Sequence, residues 1–147
     1  MAFGLLVAGC GGGGGDSADA QQIDKATFAK RANKICEQAT GKLAAEVGFL
    51  SNREAAKPGY DYTKAQIVIA KEALIPRLEE ELQEIQALGI PAEARKDVKA
   101  FFAASQRVID WLKAQPRALI EGQRPPYAAA ELTGTKFGVT ECPFASS

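Results

Sequence analysis

Histidine is missing from all 147 residues of the sequence. Histidine is the usual general base near neutral pH and the commonest protein ligand of transition metals, so its absence argues against most hydrolases and most metal sites. Lys plus Arg and Asp plus Glu both number 18, and this zero net charge excludes the strongly basic surface of a nucleic-acid binder. The apolar run at residues 3–8 is far shorter than the roughly 20 residues that a membrane-spanning helix needs.

Cysteine is scarce, and the three cysteines are Cys10, Cys36 and Cys142. An odd number of cysteines in an exported protein requires a separate role for one of them. The stretch Val7-Ala8-Gly9-Cys10 resembles the lipobox of bacterial lipoproteins, in which an apolar residue and two small residues precede a cysteine. The resemblance implies that the thiol of Cys10 carries a diacylglyceryl group and that the chain is cut just before it. The alternative is a free or disulfide-bonded Cys10 in a disordered N-terminus.

The segment after Cys10 has the composition of a tether. Residues 11–15 are five consecutive glycines, and residues 16–22 are small or polar, so the segment cannot bury enough apolar surface to fold. We expect residues 1–9 to be a signal peptide, truncated because no Lys or Arg precedes its apolar part. Residues 10–22 then form a lipidated cysteine and a flexible tether that reaches about 20 Å.

The lipobox resemblance also implies an address. Such a protein is exported and anchored to the outer face of the bacterial cytoplasmic membrane, or on the periplasmic side of the envelope. Its partner there is the membrane, reached through the diacylglyceryl anchor, and two acyl chains on one residue meet the requirement for stable anchoring.

Beyond the tether, apolar residues recur every three or four positions, which is the periodicity of helices. The first predicted helix begins after an N-cap at Asp24 and ends at the Lys-Pro-Gly break at 57–59. The second begins near Asp61 and ends at a glycine C-cap within 88–91. Pro76 should bend or interrupt this second helix, because proline lacks an N–H and clashes with the preceding turn.

The second half of the chain predicts two more helices. The third begins at Pro91 and bends or ends at Pro116, and a short fourth helix covers about 126–137. No stretch alternates apolar and polar residues for long enough to predict a strand. The sequence therefore predicts an all-α, up-and-down bundle of three long helices and one short one over residues 23–143, followed by a tail at 144–147.

The two remaining cysteines predict a disulfide bond. Lipidation of Cys10 leaves an even pair, and the expected compartment is oxidising. Cys36 falls on the apolar face of the first helix, and Cys142 lies in a segment after Gly138 that has little means of staying ordered by itself. We predict that Cys36 and Cys142 are bonded; the alternative is two buried free thiols, which behave as small apolar residues.

Few residues in this sequence predict chemistry. Consecutive helical positions point about 100° apart, so the acidic run at 79–81 with Glu84 cannot converge on one metal, and we expect it to be a solvated helix face. No histidine is available to activate a cysteine or a serine, and we expect no catalytic residue, metal or cofactor. Trp111 lies one position from the apolar seam of the third helix, where it either packs in the core or contacts a partner.

These features together predict a lipid-anchored cell-envelope protein with a non-catalytic helical domain that binds or scaffolds an unknown envelope protein. One alternative is a carrier that holds a small apolar ligand in the bundle core. The other is an envelope enzyme, which would need a cleft with converging carboxylates or a lysine of shifted pKa.

Replacement of Cys10 by serine should release the protein from the membrane, because a serine hydroxyl does not accept the lipid. Expressed in a bacterium behind a complete signal peptide, the wild type should partition into detergent and carry the added mass of a diacylglyceryl group. Phase separation and mass spectrometry of both proteins check this. An unmodified, water-soluble wild-type protein would contradict the prediction.

Overall fold

A computed structural model of the chain describes residues 23–144, and every regular element within this range is helical. The prediction of an all-α fold is therefore confirmed for these residues. The predicted signal peptide at 1–9, the lipidated Cys10 with its tether up to residue 22, and residues 145–147 lie outside the described residues.

Four helical rods follow one another along residues 23–144. The second rod is α2 and α3 joined by a π-helical segment at Ala70–Leu74, and a short 3-10 turn at Ala92–Ala94 precedes α4. This matches the three long helices and one short helix of the sequence prediction. The helices are α1 (Lys25–Ala55), α2 (Tyr62–Ile69), α3 (Ile75–Gln86), α4 (Arg95–Ala114) and α5 (Tyr127–Thr135).

Aspartate side chains start the first two rods, as predicted. Asp24 accepts hydrogen bonds from the backbone N–H and the hydroxyl of Thr27, at 2.8 and 2.7 Å, and these bonds lower the pKa of the Asp24 carboxyl. Asp61 accepts from the backbone N–H of Lys64 at 3.0 Å. Each bond satisfies a backbone donor that has no partner within its own helix. Gly89, with φ +85°, follows the end of α3.

Pro76 interrupts the second rod without breaking it. The proline ring would clash with the carbonyl of Glu72, four residues earlier, in a regular α-helix. The π-helical segment lies directly before this position, and the N–H of Ile75 donates to the carbonyl of Ala70, five residues earlier. This wider turn accommodates Pro76, which falls in the first turn of α3, and lets the rod continue.

The main core lies where α3 packs on α1 and α4, and where α4 packs on α5. Its centre is a group of four rings from Phe28, Phe101, Phe102 and Phe137, with centroids 5.7–6.3 Å apart. Tilted and edge-to-face pairs at such distances are the favoured arrangements of aromatic side chains. Since these rings come from α1, α4 and the residues after α5, they join the two ends of the chain.

Asn33 of α1 makes three hydrogen bonds to the residues after α5. The side-chain amide of Asn33 donates to the carbonyl of Gly138 at 2.8 Å. Its oxygen accepts from the backbone N–H groups of Thr140 and Glu141, at 2.9 and 3.2 Å. Asn33 thereby satisfies backbone groups of a segment that has no secondary structure of its own.

The same segment meets α1 again at the predicted cysteine pair. Cys36 and Cys142 lie at disulfide distance, with Cα atoms 4.8 Å apart, and both are fully buried. Phe144 is also fully buried in the main core. Phe144 is the first residue of the predicted tail at 144–147, and its ring contributes apolar area to the main core of the predicted domain at 23–143.

Replacement of Asn33 by alanine should lower the free energy of unfolding by about 2 kcal/mol, because it removes three hydrogen bonds and leaves backbone groups of residues 138–141 without them. Denaturant unfolding of the oxidised protein measures the change. Asn52→Ala, at an exposed position near the other end of α1, is the matched control and should have little effect. Equal effects of the two substitutions would contradict the proposed role of Asn33.

Candidate functional site

An apolar groove of about 310 Å³ opens between α1, the second rod and the loop that follows α4. We call it the apolar groove. The π-helical segment contributes part of its wall, and the loop covers the side opposite α1. Its lining residues are Leu43, Val47, Tyr62, Gln66, Ile69, Ala70, Leu74, Pro116, Leu119 and Ile120.

The groove lies along the second half of α1, beyond the main core. α1 has 31 residues and α4 has 20, so α1 is about 16 Å longer. At this end α1 packs on the second rod through a separate small core of Leu50, Ile69 and Ala73, against which Leu43 and Val47 lie half-buried. A loop, rather than a helix, completes the wall, because α4 ends just before Pro116.

The loop after α4 is held by turns of its own. The N–H of Ile120 donates to the carbonyl of Arg117 at 2.9 Å, and the N–H of Gln123 donates to that of Ala118 at 2.8 Å. Pro116 thus ends α4, one of the two predicted outcomes. Leu119 and Ile120 follow as half-buried turn residues that face the groove.

The charge of the groove walls limits what the groove can do. Its lining residues include no charged side chain, and Tyr62 and Gln66 contribute the polar side-chain groups. Such a surface offers dispersion contacts and a few hydrogen bonds to a ligand, and no acid–base pair. The groove is therefore suited to binding an apolar molecule and not to proton-transfer chemistry.

A charged network outside the groove fixes α1 against the π-helical segment. Arg53 bonds to Glu72 at 2.8 Å across the two elements. The same guanidinium bonds to the buried Glu54 at 2.8 Å, and Lys57 bonds to Glu54 at 2.6 Å. Hydrogen bonds from Lys57 and from Arg53 lower the pKa of the Glu54 carboxyl, so Glu54 is charged and paired at neutral pH.

Aromatic side chains are exposed around the turn between α1 and α2. Phe49 is 68% exposed, Tyr60 49% and Tyr62 61%, and Tyr62 lines the apolar groove. Phe49 lines a separate cleft, together with Leu50 and Glu72.

The acidic run at 79–81 differs from its prediction at one position. Glu80 and Glu84 are exposed and Glu79 is half-exposed, but Glu81 is only 2% exposed. Glu81 lies three residues after Leu78 and four before Ile85, both of which are buried in the main core. The expectation of a solvated face is wrong for Glu81, since helical phase directs its side chain into the core whatever its chemical type.

Glu81 meets the cysteine pair inside the main core. A carboxylate oxygen of Glu81 and the sulfur atoms of Cys36 and Cys142 all lie within 4.8 Å of one another. Within the described residues, the Oε1 atom of Glu81 is buried and makes no hydrogen bond. Burial, with the nearby charge of Glu84 as the second cause, raises the pKa of Glu81 to about 8. Glu81 is therefore protonated at neutral pH in the folded protein.

Trp111 lies half-buried against the main core and does not line the apolar groove. Its predicted role as a partner contact stays a prediction. Sequence reasoning missed the groove altogether; the available signals were the length of the first apolar pattern and the position of Pro116. It also missed Glu81, although the spacing of Leu78 and Ile85 marked that position.

No protein-family model, curated protein or solved structure matches the chain. Among residues 23–144, no helix combines the length and the apolar character needed to cross a membrane. The function is therefore inferred from the groove and from the geometry around it.

Glu81 should make the stability of the oxidised protein fall as the pH rises. Its pKa is 4.5 in a free chain and about 8 in the fold, so the folded state holds a proton that the unfolded state lacks between these values. The free energy of unfolding falls across that range and levels off above it, by about 1.4 kcal/mol per unit of pKa. Glu80, Glu84, Lys42 and Arg77 line the cleft beside Glu81, and of these groups Glu84 acts on the pKa of Glu81, by raising it.

Denaturant unfolding at about pH 5 and about pH 9, with Glu81→Gln as the variant, measures the contribution of Glu81. The wild type should lose several kcal/mol more than the variant between these two pH values, because glutamine does not titrate. Glu37→Gln, at an exposed position on α1, is the control and should follow the wild type. Parallel pH profiles for the wild type and Glu81→Gln would contradict the prediction.

Proposed function

We propose that the protein is a lipid-anchored component of a bacterial cell envelope whose helical domain binds a small apolar molecule, without catalysis, in the apolar groove. The observation that carries the proposal is the groove itself, with about 310 Å³ of space and no charged residue in its lining. Pockets that bind small molecules are mostly apolar and have a few polar atoms that orient the ligand. Tyr62 and Gln66 are suited to that orienting role.

The size of the groove indicates reversible binding of a small ligand. Its volume is near the lower end of the usual range for ligand pockets. An apolar ligand that buries about 200 Å² of surface gains about 5 kcal/mol. This gain corresponds to a dissociation constant of about 0.2 mM before the cost of immobilising the ligand is counted, so we expect weak binding, in the millimolar range or above. Such affinities suit a carrier or a sensor that exchanges its ligand.

The proposal includes an up-and-down order of the helices in the bundle. In it, the lipid anchor precedes the start of α1, and the groove lies along the second half of α1. The lipobox resemblance and the glycine-rich stretch support a tether that joins Cys10 to the start of α1. Leu43 follows Lys25, the first residue of α1, by 18 positions, which is about 27 Å of helix. An upright domain would therefore hold its groove away from the membrane, toward molecules in the envelope space.

The main core is a less suitable place for a ligand than the groove. Phe28, Phe101 and Phe144 are fully buried there and fill the space between the helices. A carrier function in this protein therefore involves the groove beside the small core. Phe49 and Tyr60 favour a second function, contact with an envelope protein, because both side chains are exposed.

A charge introduced into the groove should weaken the binding of a neutral apolar dye such as N-phenyl-1-naphthylamine. Ile120 lines the groove and belongs to neither core cluster, so Ile120→Glu adds a charge without removing core packing. Burying the carboxylate beside the dye, or moving it out of the groove, costs free energy, so the affinity for the dye should fall about tenfold or more. Dye fluorescence titration of the intact protein measures it.

Leu132→Glu is the matched control, because Leu132 is 63% exposed and does not line the groove. This variant should bind the dye as the wild type does. A second pair, Tyr62→Ser in the lining and Tyr60→Ser outside it, should separate in the same way. Absence of saturable dye binding in the wild type, or equal losses in lining and control variants, would refute the proposed ligand site.

A further inference from the structure

The site around Cys36, Cys142 and Glu81 has the composition of a ligand set for a thiophilic metal ion. Its three ligand atoms lie within 4.8 Å of one another, and all three side chains are buried. The buried Oε1 atom of Glu81 has no hydrogen-bond partner within the described residues. A buried polar atom of this kind is rare in folded proteins and calls for an explanation.

Zinc is the ion whose chemistry fits these atoms. Cysteine thiolates and carboxylates are among its usual ligands, and neighbouring ligand atoms in a tetrahedral zinc site lie about 3.5–3.8 Å apart. The side chains of Cys36, Cys142 and Glu81 would therefore need to move by only about an ångström once the sulfurs are no longer bonded to each other. Three different segments of the chain carry the ligands, namely α1, α3 and the residues after α5.

The surroundings of Glu81 leave room for at most one further small ligand. A cleft of about 10 Å³ lies there, lined by residues that include Lys42 and Arg77. That is about the least space that holds one water molecule, and Glu81 is the one of the three proposed ligands that lines it. Two thiolates and one carboxylate carry one negative charge more than the ion neutralises, and Lys42 lines the cleft beside Glu81. The other cation of the cleft, Arg77, is paired with Glu46 and Glu80.

We propose that the dithiol form of the protein binds one zinc ion through Cys36, Cys142 and Glu81, so that the metal ion and the disulfide are alternative occupants of one site. The proposal is independent of the apolar groove and of its ligand.

The two forms interconvert by a balanced exchange. A dithiol reductant gives two electrons and two protons to the disulfide, and its own two thiols become a disulfide. Zinc then replaces the protons on the two sulfurs and on the carboxyl group, which pass to solvent. In the reverse direction, a small disulfide takes two electrons from the two thiolates, leaves as two thiols after taking up protons, and the zinc ion is released.

Metal titration of the full chain tests the proposal. Cys10→Ser removes the third thiol, and a phosphine reductant under nitrogen opens the disulfide. The reduced protein should bind one equivalent of Zn²⁺ by calorimetry, and one equivalent of Cd²⁺ should give a thiolate-to-metal absorption band. The oxidised protein should do neither. Oxidised glutathione added to the zinc form should release the ion to a colorimetric indicator.

Two variants show whether Glu81 is a ligand. Glu81→Gln keeps the shape of the side chain and removes the anionic oxygen. Loss of a residue that only hydrogen-bonds to a metal ligand costs roughly tenfold in metal affinity, so loss of the ligand Glu81 itself should lower zinc affinity by more than that. Glu84→Gln, an exposed neighbour that lines the same cleft, should keep nearly wild-type affinity. Equal affinity of the wild type and Glu81→Gln would overturn the proposal.

Far-ultraviolet circular dichroism keeps the test decisive when the reduced protein unfolds. In that case zinc should restore the helical signal of the reduced wild type and should fail to restore it in Glu81→Gln at the same concentration. Reduced protein that stays unfolded in the presence of zinc would overturn the proposal. Reduced protein that is folded and binds no zinc would overturn it equally.

Discussion

The attachment of residues 138–144 to α1 is the constraint on which the main core depends. This segment has no regular secondary structure, yet Val139, Cys142 and Phe144 are fully buried. In the chain-entropy model, a bond across a sequence separation of 106 lowers the entropy of the unfolded chain and so raises the free energy of unfolding by about 4–5 kcal/mol. This is a large part of a typical domain stability of about 5–15 kcal/mol. Asn33 and the cysteine pair act on the same seven residues, so they hold three core side chains in place together.

Local chemistry explains why much of the fold could be predicted. The N-caps at Asp24 and Asp61, and the ends of helices near glycine and proline, depend on a few neighbouring residues. The outcome at Pro76 was not predictable in the same way, because proline is compatible with a bend, a break or a widened turn. Burial of Ile75 and Leu78 on either side of it favours a continuous rod, and that packing comes from distant parts of the chain.

The two candidate sites were harder to predict because both depend on tertiary structure. The apolar groove lies where α1 and the second rod meet the loop after α4, and sequence periodicity does not indicate which segments meet in this way. Glu81 was misjudged by residue type, since a run of glutamates is ordinarily solvated. Its position between Leu78 and Ile85 carried the correct information, and helical phase outweighed the preference of a carboxylate for water.

The two ends of the domain differ in how strongly they are held, and this difference bears on function. Around the cysteine pair, α1 is held to residues 136–144 by two cysteines at disulfide distance, by Asn33 and by contacting aromatic rings. Around the groove, α1 and the second rod share a small core of three buried residues and are covered by a loop. Regions with few buried contacts open at a lower free energy than the core, and binding sites are drawn from such regions. A ligand in the groove would add apolar contacts where the fold has the fewest. Part of its binding energy would therefore order the walls of the groove, while the end of the domain around the cysteine pair keeps those walls aligned.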